Sequence, residues 1–181
     1  ALVVVAAYAG EGVVVNVRPL VIIPAYNEEE SLPAVLKELA EQTPEYDVLV
    51  VSDGSSDRTA ELATAAGVHV AVLPFNLGIG GALRTGFTYA VRHDYERAVQ
   101  FDADGQHRVE DAVTMVMEAE RGAADVVLGS RFHGERQDIP AVRRVVLRAA
   151  VLFTRLTTGL NLTDAHNGLR VLTRSAAARM D

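Results

Sequence analysis

A doubly wound α/β fold, with a mostly parallel sheet flanked by helices, is what this sequence predicts, and three observations predict it. Short apolar runs of strand length alternate with segments of helical periodicity from Leu20 to Leu128. Several of these runs end in polar clusters, which a parallel sheet would carry to one edge, where open α/β sheets bind their ligands. The chain has 181 residues and 49% hydrophobic content, enough to bury a sizeable core in one domain.

The elements follow in order. Leu20 to Pro24 reads as a strand, and Glu28 to Gln42 as a helix with Leu32, Val35, Leu36 and Leu39 at helical spacing. Asp47 to Ser52 is a second strand. Asp57 to Ala66 is a second helix, with Asp57 placed to cap it and Gly67 where a helix end favours positive φ. Val68 to Leu73, Ile79 to Arg92, Arg97 to Phe101, Val109 to Arg121 and Asp125 to Leu128 continue the strand and helix alternation. Such alternation implies right-handed parallel crossovers. Ahead of it, residues 1–17 form an extension to which the sequence assigns no role; its Val-rich runs, Leu2 to Val5 and Val13 to Val17, flank Gly10-Glu11-Gly12 like a hairpin.

Composition narrows the function classes. Without cysteine, disulfides and thiolate metal sites are excluded, and a reducing, cytoplasmic setting is expected. No stretch reaches the roughly 18 uninterrupted apolar residues of a membrane span. The net charge of −7 is unevenly spread: residues 1–129 carry 8 basic and 20 acidic side chains, residues 130–181 carry 9 and 4. The basic tail suits an anionic partner or a solvated face. Nothing points to nucleic acid, and Lys37 is the only lysine.

The sharpest chemical signal is Val99-Gln100-Phe101-Asp102-Ala103-Asp104-Gly105-Gln106-His107, an apolar run ending in two carboxylates one residue apart. At a strand end the chain turns, so Asp102 and Asp104 can converge on one hard cation. With the Gln106 amide oxygen they suit Mg²⁺ or Mn²⁺. A polar turn is the alternative, since Asp and Gly are ordinary turn residues. Two other strand ends carry Pro24-Ala25-Tyr26-Asn27-Glu28 and Ser52-Asp53-Gly54-Ser55-Ser56-Asp57. Neither a dinucleotide fingerprint nor a P-loop is present: Gly78-Ile79-Gly80-Gly81-Ala82-Leu83 fails at its sixth position.

Together with Asn76-Leu77-Gly78-Ile79-Gly80-Gly81-Ala82-Leu83-Arg84-Thr85-Gly86 and Gly129-Ser130-Arg131, these stretches resemble, in order, the motifs of family 2 glycosyltransferases, best the dolichyl-phosphate mannose synthase-like subgroup of polyprenyl-phosphate glycosyltransferases. The likeness runs from about Pro19 to Arg174. It implies a GT-A catalytic domain over residues 18–181, with a nucleotide-sugar half at 18–131 and an acceptor half, expected to be truncated, at 132–181. It also implies an inverting, metal-dependent transfer of a hexose from GDP-mannose or a UDP-hexose to polyprenyl or dolichyl phosphate. Pro24, Ala25, Tyr26 and Glu28 would line the base and ribose pocket, with Asp53 accepting hydrogen bonds from the nucleotide. The turn at Gly78 and Gly80 would support a phosphate or ribose at a helix start, with Arg84 nearby. Asp102, Asp104 and Gln106 would hold the metal on the donor diphosphate, and Arg131 would pair with the same phosphates. Asp104, Arg131 and Asp164 are the residues expected to act in catalysis.

The acceptor half departs most from the pattern. Ala141 to Thr158 reads as a basic amphipathic helix with Arg144, Arg148 and Arg155 on one side, suited to the inner face of an anionic membrane or to packing on the sheet. In Thr163-Asp164-Ala165-His166-Asn167-Gly168-Leu169-Arg170, Asn167 and Leu169 stand where the family more often has Ser and Phe. His107 and His166 read as polar loop residues. Other readings remain open: a hydroxyl acceptor on a soluble molecule, or a non-catalytic nucleotide-sugar binding module. A haloacid-dehalogenase-like phosphatase is disfavoured, because Gln106 replaces its usual Thr or Val and no lysine follows Lys37.

Overall fold

The computed structural model describes residues 3–5, 18–121, 124–129 and 168–180, with the backbone alone at 3–5. Its strands are β1 (Val3–Val5), β2 (Leu20–Ala25), β3 (Asp47–Asp53), β4 (His69–Leu73), β5 (Arg97–Gln100), β6 (Val126–Leu128) and β7 (Arg170–Thr173). The helices are α1 (Leu32–Gln42), α2 (Thr59–Ala65), α3 (Gly78–Arg92), α4 (Val109–Glu120) and a single turn, α5 (Arg174–Ala177). All seven strands join one sheet in the order β1-β6-β7-β5-β2-β3-β4.

Strand β2 is apolar throughout because both of its faces are covered, the expected state of a parallel strand. Alternate residues divide between two cores. Val21 and Ile23 pack with Leu32, Leu36 and Leu39 of α1 and Met115 and Val116 of α4. Leu20 and Ile22 pack with Ala82, Phe87 and Ala90 of α3 and Ala177 of α5. The helices therefore lie on both faces.

The four strands β4, β3, β2 and β5 are parallel. Beyond β5 the sheet becomes mixed: β7 runs antiparallel between β5 and β6, and β1 is antiparallel to β6. The N-terminal residues Val3–Val5, expected in a hairpin, pair with Val126–Leu128. The other expected arm, Val13 to Val17, lies outside the described residues, as do the helix proposed at Ala141 to Thr158 and the residues Arg131, Asp164 and His166.

The boundary that differs most from expectation is the start of the first helix. Helix α1 begins at Leu32, not at Glu28. Residues 28–31 form a turn whose backbone donors are used elsewhere: Glu28 N donates to Thr59 Oγ1 at 2.9 Å and Glu29 N to Asp57 Oδ2 at 3.1 Å. Pro33 in the first turn of the helix lacks a donor, and none is needed there.

At the opposite end of the sheet, Asp47 opens β3 and gathers two partners. Tyr95 OH donates to its Oδ2 at 2.9 Å, and Arg18 approaches Oδ1 at 3.2 Å. Burial and the neighbouring Asp47 carboxylate push the Tyr95 phenol well above its ordinary range, so it remains a donor. Replacing Tyr95 by Phe is expected to cost about 1 kcal/mol of stability, read as a lower urea midpoint with unchanged slope.

Candidate functional site

The parallel register aligns the strand ends. Ala25 lies opposite Ser52, Asp53 opposite Leu73, and Ile22 opposite Gln100. The β2–α1, β3–α2 and β5–α4 loops and the loop before α3 thus leave the sheet at one edge.

The first two loops clasp each other. Asn27, at φ 55°, accepts Ser56 N on its Oδ1 at 2.9 Å, while Asn27 N donates to Ser55 Oγ at 3.2 Å. Asp57 accepts from Thr59 N at 3.0 Å, Thr59 Oγ1 at 2.5 Å and Glu29 N at 3.1 Å. Burial pushes the Asp57 carboxyl up, but these donors outweigh it and hold the group below the usual carboxylate range. Ser31 Oγ donates to the Glu28 carboxylate. Helix α2 begins at Thr59 with Arg58 at its N-cap position and no side-chain cap, so Asp57, expected to cap it, lies one residue before the cap and instead ties the two loops together.

The β3 end is joined to the start of α3. Asp53, 3% exposed, accepts Leu77 N on Oδ1 at 2.7 Å. Gly54 adopts φ +67°, and a Cβ there would lie 2.5 Å from Asn76 N, so only glycine lets the loops approach this closely. Gly78 N is held by Asn76 Oδ1 at 2.8 Å, and α3 begins there. The first-turn amides of a helix have no intrahelical acceptor and favour an anion. Around this corner Tyr26 is 51% exposed and Phe75, Leu77 and Ile79 are also exposed, whereas Pro24 and Ala25 are buried within β2. Of the residues expected to line a nucleotide pocket, Tyr26 is open, Glu28 half-buried, and Pro24 and Ala25 form the floor. Ser52 is buried, and its Oγ lacks a partner.

At the end of β5 the two carboxylates differ. Asp104 is exposed, accepting only Gln106 N at 3.0 Å across a turn made by Gly105 at φ +71°, and the Gln106 side chain is exposed beside it. Asp102 is enclosed. His107 Nε2 donates to its Oδ2 at 2.9 Å, with the His107 side chain 12% exposed and edge-on to Phe101 at 5.6 Å. From the other side comes Gly168, where an added Cβ would lie 1.9 Å from Asp102 Oδ2. Two features thus escaped the sequence reading. His107, taken for a loop residue, orients Asp102, and its signal was its place five residues after Asp102 beyond a glycine turn. Gly168 lies in the Thr163 to Arg170 stretch that the sequence singles out, but nothing local there signals its approach to Asp102.

These donors are hard oxygens. Among the described residues no three His, Cys, Asp or Glu gather around one point. Asp102, Asp104 and Gln106 therefore fit a cation that takes only part of its shell from protein and the rest from water and phosphate oxygens, the habit of Mg²⁺ and Mn²⁺. Arg84 stands exposed on α3 past the glycines. Arg131 and Asp164 lie outside the described residues, so their placement relative to this edge is not given.

Comparison with known proteins gives the same outline. The family model of glycosyl transferase family 2 matches residues 20–180. An undecaprenyl-phosphate mannosyltransferase of Micrococcus luteus is 41% identical over 160 residues, covering 84% of this chain and 65% of that protein. A polyprenol monophosphomannose synthase of Mycolicibacterium smegmatis is 34% identical over 172 residues, covering 91% and 64%. The chain thus spans just under two thirds of the length of these relatives. Among solved structures, glucosyl-3-phosphoglycerate synthase from Mycobacterium tuberculosis, in complex with Mn²⁺, UDP and glucosyl-3-phosphoglycerate, superposes with a TM-score of 0.63 at 20% identity, covering 88% of this chain and 58% of that one.

The geometry generates two expectations. Because its folded pKa is depressed, Asp57 contributes stability above the unfolded value of about 3.9, and that contribution is lost as pH falls through the folded value. The stability gap between the parent and Asp57→Asn, measured by urea denaturation, is expected to hold from pH 5 to 7 (roughly the range above both values) and to shrink in more acidic buffer. Replacing Gly168 by Ala, or His107 by Leu, is expected to weaken Mn²⁺ binding by about 10- to 100-fold. Water proton relaxation reads this directly, with melting curves to show that both variants remain folded.

Proposed function

The chain belongs to glycosyl transferase family 2 and has the GT-A fold, and on that premise we propose that it is an inverting, divalent-metal-dependent hexosyltransferase acting on polyprenyl phosphate. The observation that carries this reading is the meeting, along one sheet edge, of Asp53 with the start of α3 and of Asp102 with Asp104 beyond β5. The names of the relatives, mannosyltransferases for undecaprenyl and polyprenol phosphates, support the acceptor and favour GDP-mannose over a UDP-hexose as donor.

Each residue then has a task. Tyr26, Glu28 and the second oxygen of Asp53 bind base and ribose over the floor made by Pro24 and Ala25. The Gly80 amide in the first turn of α3, placed by the turn at Gly78 whose own N–H is taken by Asn76, and the Arg84 guanidinium support the diphosphate. Asp102, Asp104 and Gln106 hold Mg²⁺ or Mn²⁺; when bound, the cation neutralises charge gathering on the departing nucleoside diphosphate. Arg131 pairs with the same phosphates, and Asp164 orients the acceptor.

A phosphate monoester has a second pKa of about 6 and is already largely dianionic at neutral pH. Its oxygen can therefore attack the anomeric carbon without a base. The new C–O bond forms as the bond to the diphosphate breaks, the nucleoside diphosphate leaves with the electron pair, and the anomeric configuration inverts once. No covalent nucleophile is called for. No helix among the described residues is long and apolar enough to cross a membrane; contact of these residues with the lipid phosphate is proposed to lie at the inner face of the membrane.

Asp104→Asn tests the reading. Its side chain is exposed, so the fold should be unaffected, while turnover with GDP-mannose and farnesyl phosphate is expected to fall by about 10²- to 10³-fold. Metal-dependent tightening of nucleoside diphosphate binding should disappear with it. Turnover at the parental rate would remove the carboxylate pair from the mechanism.

A further inference from the structure

The chain contains two Asp-Gly steps, Asp53-Gly54 and Asp104-Gly105, and both stand at the polar edge of the sheet. Glycine has no side chain to shield its own amide nitrogen and turns freely. An aspartyl carboxyl that precedes it is therefore open to attack by that nitrogen. The two steps differ in everything that governs the attack.

Asp53 is 3% exposed and its carboxylate holds Leu77 N at 2.7 Å, while Gly54 N donates to Ser52 O at 3.0 Å. The loop before α3 presses on this step, with Asn76 N 2.5 Å from where a Cβ of Gly54 would lie. Carboxyl and nitrogen are both engaged, and the chain around them leaves no room to turn. At the second step Asp104 and Gly105 are both exposed. The Gly105 N–H meets no hydrogen-bond acceptor among the described residues. A Cβ on Gly105 would meet only Val35 Cγ2, at 3.9 Å, so almost nothing packs against the turn. The bond from Gln106 N to the Asp104 carboxylate, at 3.0 Å, closes a small ring that contains Gly105 N, keeping carboxyl and nitrogen within one turn.

We propose that Asp104-Gly105 is a modification site, which in the metal-free protein closes to a succinimide and reopens as isoaspartate. Gly105 N bonds to Asp104 Cγ, the carboxyl hydroxyl leaves with the amide proton as water, and a five-membered imide results. Water then adds to the Cγ carbonyl, restoring aspartate, or to the main-chain carbonyl, breaking its bond to nitrogen and routing the chain through Cγ. The second product has one more backbone carbon, and its carboxylate sits on Cα. No reagent other than water enters. Protection of the step rests on the proposed metal reading: a cation bound to Asp104 holds the oxygen that would have to leave. The metal-loaded protein is then the durable form, and idle protein loses its metal site with time.

Incubation of the whole chain in neutral buffer at physiological temperature, with and without Mn²⁺, followed by peptide mapping, tests this. Isoaspartate is read by enzymatic carboxyl methylation and by peptides of unchanged mass and shifted retention; deamidation at Asn167-Gly168 is told apart by its gain in mass. Asp104 is expected to convert at least about tenfold faster than Asp53, which must first give up buried hydrogen bonds. Mn²⁺ at about ten times its dissociation constant should slow Asp104 by about tenfold, the factor by which the metal-free fraction falls. Mn²⁺ binding, read by water proton relaxation, should decline in step with conversion while the melting curve persists. Asp104→Glu, which would have to close a six-membered ring, should stay intact. Asp104→Asn, whose leaving group is ammonia, should convert faster than the parent and gain Mn²⁺ binding as aspartate forms. Asp104 left intact while a free peptide spanning Phe101 to Val109 converts, or Asp53 converting as fast as Asp104, would overturn the proposal and leave the transferase reading standing. Conversion of Asp104 at one rate with and without saturating Mn²⁺ would overturn the protection, and with it the place of Asp104 in the metal site.

Discussion

Strand β2 is paired in parallel on both sides, and the rest of the site is measured from that pairing. Ala25 opposite Ser52 and Ile22 opposite Gln100 determine where each following loop can go. A slip of one residue would exchange the two cores, placing Val21 and Ile23 against α3 and Leu20 and Ile22 against α1. With all four of these residues fully buried, that exchange would require repacking both faces at once. Register at the centre of the sheet is thus held by burial, and the polar edge inherits its geometry from it.

What the sequence made legible is what local pattern controls. Apolar runs ending in Asp53 and in Asp102 with Asp104 announced both strands and edge, because a buried parallel strand has no other way to spell its ends. The start of α1 was misplaced because Glu28, Glu29 and Glu30 suit a helix as well as a turn; the donors of Glu28 and Glu29 are taken by Thr59 and Asp57, a tertiary choice that propensity does not record. The insertion of β7 between β5 and β6 and the approach of Gly168 to Asp102 depend on chain distant in sequence. Neither leaves a trace in the residues near Asp102. His107 lay within reach of such reasoning, since a histidine shortly after a carboxylate pair can turn back on it, but polar loop composition hid the contact.

The acidic edge poses an electrostatic problem that the structure answers unevenly. Asp53 receives a backbone amide, Asp57 three donors, and Asp102 a histidine. Asp104 receives one amide and otherwise faces solvent. Fixed donors stabilise a carboxylate in its charged form without making it attractive to a diphosphate. Under the proposed reading the least compensated carboxylate is therefore the one that most needs a cation, and a bound divalent ion reverses the sign of the field that an incoming nucleotide meets.

A second anion must still reach the same carbon, and here the pleat of β5 matters. Phe101 belongs to the core on the α1 side, whereas Gln100 lies with Arg170 on the α3 side. Consecutive residues of one strand thus address opposite faces. An in-line displacement needs its attacking and leaving oxygens on opposite sides of the reacting carbon. With the donor diphosphate proposed at Asp102 and Asp104, the acceptor phosphate must then come to the anomeric carbon from the side opposite the departing diphosphate.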